Sequence, residues 1–176
     1  MIKIYKKIQN PKLFITGLVL AIVITIADLY SKSVIFRILD NEIGQYIKVT
    51  GFFNLVKVLN TGVSFGMFNN LTYGTIILSA VAIIITIILV IWLSQIESKH
   101  MSIALGFVIG GAGGNIIDRI VNGAVADFLD FHIAGYHWPA FNLADTTISI
   151  GAAIMIFDEF ILPRIKAKKE NIEKSN

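Results

Sequence analysis

Residues 71–93 read LTYGTIILSAVAIIITIILVIWL, a run without a single charged side chain. A helix needs about 20 consecutive, mostly apolar residues to cross the hydrocarbon of a bilayer, and this run supplies them. Working outward, three more apolar segments follow the same logic. One covers about residues 13–27, with Asp28 at its far end. Another, about 101–121, is rich in glycine and contains Asn115, Asp118 and Arg119. The last, about 139–157, has Asp145 a turn or two inside its start. The first and last reach spanning length only with their flanks included. Composition agrees with a membrane protein. The 176 residues are 55% hydrophobic and 15% charged, with mean hydropathy +0.73, whereas soluble domains carry about a quarter charged residues.

Orientation follows from lysine and arginine beside the segments. Lys3, Lys6, Lys7 and Lys12 precede the first, Lys99 lies between the second and third, and Arg164, Lys166, Lys168, Lys169 and Lys174 follow the fourth. Four spans then place both termini in the cytoplasm and the loops at about 31–70 and 122–138 outside. Lys32, Arg37, Lys48 and Lys57 weaken the contrast, but a loop that long translocates largely regardless of charge. The first segment has the basic start and apolar stretch of a signal peptide. Thr25-Ile26-Ala27-Asp28-Leu29 offers no small-x-small cleavage site, so an uncleaved span is expected.

Residues 1–162 form one membrane-embedded unit on this reading, and 163–176 a charged, solvated cytoplasmic tail. In the outer loop at about 41–68, Ile47-Lys48-Val49-Thr50 and residues 52–58 are β-branched and aromatic runs broken at Gly51. They predict a short sheet or hairpin on the membrane surface, with Tyr46, Phe52 and Phe53 in the headgroup layer. The expected fold is an all-α integral membrane protein. It has four transmembrane helices and a small extracytoplasmic β-rich region between helices 1 and 2.

The chain has no cysteine, which excludes a disulfide framework, a thiolate zinc site, a cysteine nucleophile and S-acylation. The net charge of +3 collects at the two ends. No basic patch interleaved with aromatics is present, so no nucleic-acid partner is expected.

Ionisable side chains at membrane depth are costly and mark candidate sites. Asp28 and Lys32, spaced i,i+4, read either as a surface ion pair at the water boundary or as part of a polar cluster supporting a site. Asn60-Thr61-Gly62-Val63-Ser64-Phe65 reads as a turn with an aromatic anchor. The glycines of 110–114 let a helix or ligand approach closely, and Asn115, Asp118 and Arg119 share one helix face. Arg119 could tie down Asp118 or grip a substrate phosphate or carbonyl. Asp127, with Asp130 nearby, and Asp145, with Asn142, fall near one outer boundary. Two carboxylates sharing a site do not readily both ionise, so such a pair offers a base to activate water and an acid for the leaving amine. The alternative is that Asp127 caps a turn and Asp145 favours a helix N-terminus; local pattern leaves both standing. His132 and His137 flank the same loop at a spacing that matches no strong ligand motif, and read as surface histidines.

Taken in order, five blocks resemble the bacterial lipoprotein signal peptidases (signal peptidase II). They are Asp28-x-x-x-Lys32, Asn60-x-Gly62-x-x-Phe65, Gly110-Gly111-Ala112-x-Gly114-Asn115-x-x-Asp118-Arg119, Val125-Ala126-Asp127-Phe128 and Phe141-Asn142-x-Ala144-Asp145. Each is weak alone; the ordered set, covering about residues 13–162, is specific. The resemblance implies a membrane aspartic endopeptidase of the bacterial cytoplasmic membrane, active at its outer face and using no metal or organic cofactor. Its substrates would be prolipoproteins whose cysteine carries diacylglycerol, met among membrane lipids; separately from the resemblance, a monomer is the simplest assumption. Asp127 and Asp145 match the catalytic dyad. Asn60, Asn115, Arg119 and Asn142 match residues that line the site and hold substrate, and Asp28 with Lys32 match the first-helix motif. Gly113 stands where that block commonly has a bulkier apolar residue, which predicts looser packing there. Two other classes compete: a proton-coupled transporter, for which no internal repeat is visible, and an assembly factor using polar residues to join helices.

Overall fold

Pro11 begins α1 (Pro11–Leu39) at a position where its missing N–H costs nothing, and Asn10 caps it by accepting the Leu13 amide at 3.2 Å. This computed structural model describes residues 8–62, 74–162 and 164–165. Phe65 of the Asn60 block, positions 63–68 of the expected outer loop, and Lys3, Lys6, Lys7, Lys166, Lys168, Lys169 and Lys174 lie outside them. The helices continue with α2 (Gly74–Leu93), α3 (Lys99–Asn122) and α4 (Leu143–Ile156). Three of these, α1, α2 and α3, are long and apolar enough to cross a membrane. With 14 residues, α4 is shorter than a span, and a π-helical turn at Phe157–Ile161 extends it.

α3 is the central helix, packed against α1, α2 and α4. Its glycines make that possible on two sides. A Cβ at Gly110 would come within 2.7 Å of the Ala21 carbonyl of α1, and one at Gly111 within 2.5 Å of the Ala144 carbonyl of α4. Helix packing therefore accounts for the glycine run. Gly113 does not leave a loose spot: the Thr25 hydroxyl sits 2.8 Å from where its Cβ would be and donates to the Gly110 carbonyl. The apolar core gathers Ala21, Leu93, Ile96, Met101, Leu105 and Ile109. α2 is apolar on every face and leaves Ile76, Ile84, Ile88 and Ile91 more than half exposed, as a lipid-facing helix does.

An antiparallel sheet of order β1-β2-β3-β4 caps one end: β1 (Tyr46–Lys48), β2 (Phe53–Asn60), β3 (Val125–Ile133) and β4 (Tyr136–His137). The first two strands fall where the broken runs around Gly51 predict them. The sheet is not confined to the region between helices 1 and 2, however, because half its strands come from between α3 and α4. β2 and β3 pair Asn54 with Asp130, Val58 with Asp127 and Asn60 with Val125. One side chain from each strand joins a line of hydrogen bonds across the sheet. Tyr46 Oη donates to Asn54 Oδ1 (2.8 Å), Asn54 Nδ2 to Asp130 Oδ2 (2.7 Å), and Asp130 Oδ1 lies 2.8 Å from His137 Nδ1. Burial alone would raise the Asp130 carboxyl, but the Asn54 amide and His137 outweigh it and hold it below the usual carboxylate range. Tyr46 and Phe52 are exposed, while Phe53 stacks on Phe131 at 4.8 Å.

Candidate active site

Gly123, at φ 72°, ends α3 in the left-handed conformation that glycine adopts without strain and turns the chain into β3. Asp127 follows four residues later, 2% exposed. Asp145 is delivered by the start of α4. There Asn142 and Asp145 form a reciprocal cap: Asn142 Oδ1 accepts the Asp145 N–H at 3.0 Å, and Asp145 Oδ2 accepts the Asn142 N–H at 3.2 Å. The sequence reading of Asp145 at a helix N-terminus is thus correct as local structure, and it coexists with a site.

Asn142, fully buried, also joins the two acids. Its Nδ2 donates to Asp127 Oδ1 at 2.7 Å and reaches Asn115 Oδ1 at 3.3 Å. Asn115 Nδ2 in turn donates to Asp145 Oδ1 at 2.8 Å, and Asn60, the last residue of β2, donates to Asp127 Oδ2 at 3.0 Å. Four elements therefore converge on two carboxylates. Asn60, Asn115, Arg119, Asp127 and Asp145 all line one cavity of about 890 Å³, walled on another side by Trp138 and Phe141. That volume lies in the range of ligand-sized clefts, about 300–1,000 Å³. Burial pushes the Asp127 carboxyl up to about 6, and the nearby Asp145 adds to it; the Asn60 and Asn142 amides and the Lys32 charge oppose the rise.

Arg119 does not tie down Asp118. Its Nη1 reaches the Asn115 carbonyl at 3.4 Å, and its Nε is buried with no hydrogen-bond partner among the described residues. Asp118 is held instead by Lys32 Nζ (2.9 Å), Asn122 Nδ2 (3.0 Å) and the Ala126 N–H (3.1 Å). The surface reading of Asp28 and Lys32 also requires correction, because they are 0% and 3% exposed. Their ion pair, 2.7 Å long, is closed over by α3, which approaches at Gly114 so closely that a Cβ there would strike the Asp28 carboxylate. Asp28 and Lys32 stand behind the acids rather than on the cavity. Sequence reasoning placed Asp118 on the Asn115 face but gave it no role at the site; its pairing with Lys32 of α1 is what spacing could not show.

Asp130 belongs to the sheet, as a neighbour rather than a third acid at the cavity. His137 is half exposed and bonds Asp130, and His132 stacks on it at 4.9 Å. Among the described residues, no group of three or more His, Cys, Asp or Glu side chains is placed to hold a metal ion.

The family model described as Signal peptidase (SPase) II matches residues 20–161. Lipoprotein signal peptidase from Vibrio campbellii is 42% identical over 144 residues, 80% of this chain and 86% of that protein. The one from Francisella tularensis subsp. novicida is 40% identical over 142 residues, 78% of this chain and 87% of its own. A solved structure described as a bacterial membrane enzyme, determined by the in meso method at 1.9 Å, superposes with TM-score 0.72. Its sequence is 30% identical, and the match covers 83% of this chain and 93% of that one. The five ordered blocks, the converging acids and these likenesses agree, and the chain belongs to the signal peptidase II family of membrane peptidases.

Proposed function

We propose that this protein removes the signal peptide from diacylglyceryl-modified prolipoproteins, with Asp127 and Asp145 as the catalytic dyad. The observation that carries the proposal is the convergence of both carboxylates on one cavity, joined through Asn142. One carboxylate takes a proton from the attacking water, and the other, protonated, delivers one to the departing amine. Asn60, Asn115 and Asn142 hold the two acids in register, and Arg119, whose Nε has no partner among the described residues, is placed to grip a substrate carbonyl. The assembly needs four spans, with α4 completed by the turn at Phe157–Ile161, both termini cytoplasmic and the sheet outside. A substrate anchored by its own signal helix and acyl chains then presents its scissile bond at a fixed depth, at the dyad.

Detergent-purified protein is expected to cleave a prolipoprotein whose cysteine bears diacylglycerol and to leave the unmodified precursor intact. Cleavage should survive a chelator. Cleavage abolished by chelation would overturn the two-acid mechanism, and ion-dependent uptake without proteolysis would return the transporter reading.

The pH dependence carries a sign. Folding raises Asp127 from its ordinary 3.8 to about 6, so the protonated form favours the fold. That contribution is complete below 3.8 and lost above about 6. With Asp127 as the acid, kcat/KM should fall as pH rises through about 6 in the free enzyme. A profile flat from pH 5 to 8 would remove Asp127 from that role.

A further inference from the structure

Lys32 is a buried cation with no place on the cavity, yet its ammonium is fully used. It pairs with Asp28 Oδ2 at 2.7 Å and Asp118 Oδ2 at 2.9 Å and donates to Asn115 Oδ1 at 2.9 Å. The two carboxylates continue outward in matching fashion. Asp118 Oδ2 accepts the backbone N–H of Ala126 at 3.1 Å, and Asp28 Oδ1 accepts that of Ala144 at 2.8 Å. Ala126 immediately precedes Asp127, and Ala144 immediately precedes Asp145. Both alanines are buried, at 6% and 0% exposure. One ammonium therefore reaches, through two carboxylates, the backbone N–H of the residue in front of each acid.

Such a cluster is a poor way to stabilise a fold. Burying two carboxylates and one ammonium carries a desolvation cost that well-packed apolar side chains avoid. Its geometry fits a different purpose. We propose that Lys32 is a positioning residue for both dyad members: through Asp118 and Asp28 it fixes β3 at Ala126 against α4 at Ala144, and so sets the separation of the Asp127 and Asp145 carboxyls. The proposal rests on the dyad reading but is testable apart from it.

Because the chain has no cysteine, Ile133→Cys on β3 and Ile156→Cys on α4, both well exposed, give a unique spin-label pair. In the full-length protein the label distance distribution is expected to be narrow, and to broaden in Lys32→Met and in the milder Asp118→Asn and Asp28→Asn, each of which weakens one arm. Without the labels, the same substitutions should lower kcat on the order of 10²-fold, the cost of roughly 1 Å of misplacement, with KM held within about twofold. The Lys32 charge opposes the rise at Asp127, so Lys32→Met should also move the descending limb of the pH profile upward. An unchanged label distribution in all three variants, or a rise in KM with kcat intact, would overturn the proposal. Failure of the dyad reading would appear separately, as cleavage that survives Asp127→Asn, while the label measurement still reports on Lys32.

Discussion

Asp127→Asn and Asp145→Asn are each expected to yield folded protein with kcat reduced by about 10²–10⁴-fold or more, the range assigned to a positioned acid or base. Asparagine matches aspartate in shape and keeps one acceptor oxygen. At 127 that oxygen can still take the Asn142 amide, while the new NH₂ faces the Asn60 donor, a local mismatch of about 1–3 kcal/mol. At 145 the reciprocal cap keeps the Asn142 carbonyl oxygen as acceptor of the residue-145 N–H, so α4 still starts where it does. Thermal unfolding should therefore shift modestly while turnover collapses. Because two acids working on one water act as a unit, the double variant should lose scarcely more than either single one. Losses that multiply would mean that the carboxylates act in separate steps.

Gly114→Ala and Gly113→Ala should behave very differently, although they are neighbours on one helix. At 114 the added methyl would strike the Asp28 carboxylate, which is fully buried and held by both Lys32 and the Ala144 N–H. Dislodging it leaves buried charge without its partner, at a cost of about 3–5 kcal/mol. At 113 the methyl meets only the rotatable Thr25 hydroxyl at 2.8 Å. The cost there is one hydrogen bond, about 1 kcal/mol, offset by a comparable gain from replacing glycine in a helix. Unfolding of the detergent-solubilised proteins would check this: equal stability of the two variants would contradict the packing of α1 on α3.

The apolar runs located α2 and α3 to within a few residues, because nothing in a charge-free or small-residue segment competes with a spanning helix. α1 was shorter in the reading than in the molecule. Asp28 and Lys32 looked like the end of an apolar stretch, but their partners on α3 let the helix run on to Leu39. β3 escaped notice for a related reason. VADFLDFHI has the aromatic and branched character of a strand, yet the partner that makes it one is β2, some 70 residues earlier. Four of the five blocks carry the side chains that meet at the cavity, and the Asp28–Lys32 block lies behind them. How they meet, through Asn142 and through Asp118 behind them, depended on contacts between elements that no local spacing encodes.

The pairing of β2 with β3 also sets a clock. Asn60 and Asp127 are separated by 67 residues, which a ribosome working at about 5–20 residues per second adds in roughly 3 to 13 seconds. Throughout that interval β2 can pair only with β1, and the edge that will meet β3 stays open. The two acids meet later still, when α4 delivers Asn142 and Asp145. On the proposed mechanism, a nascent chain has no complete acid pair, and so no turnover, until α4 docks against α3.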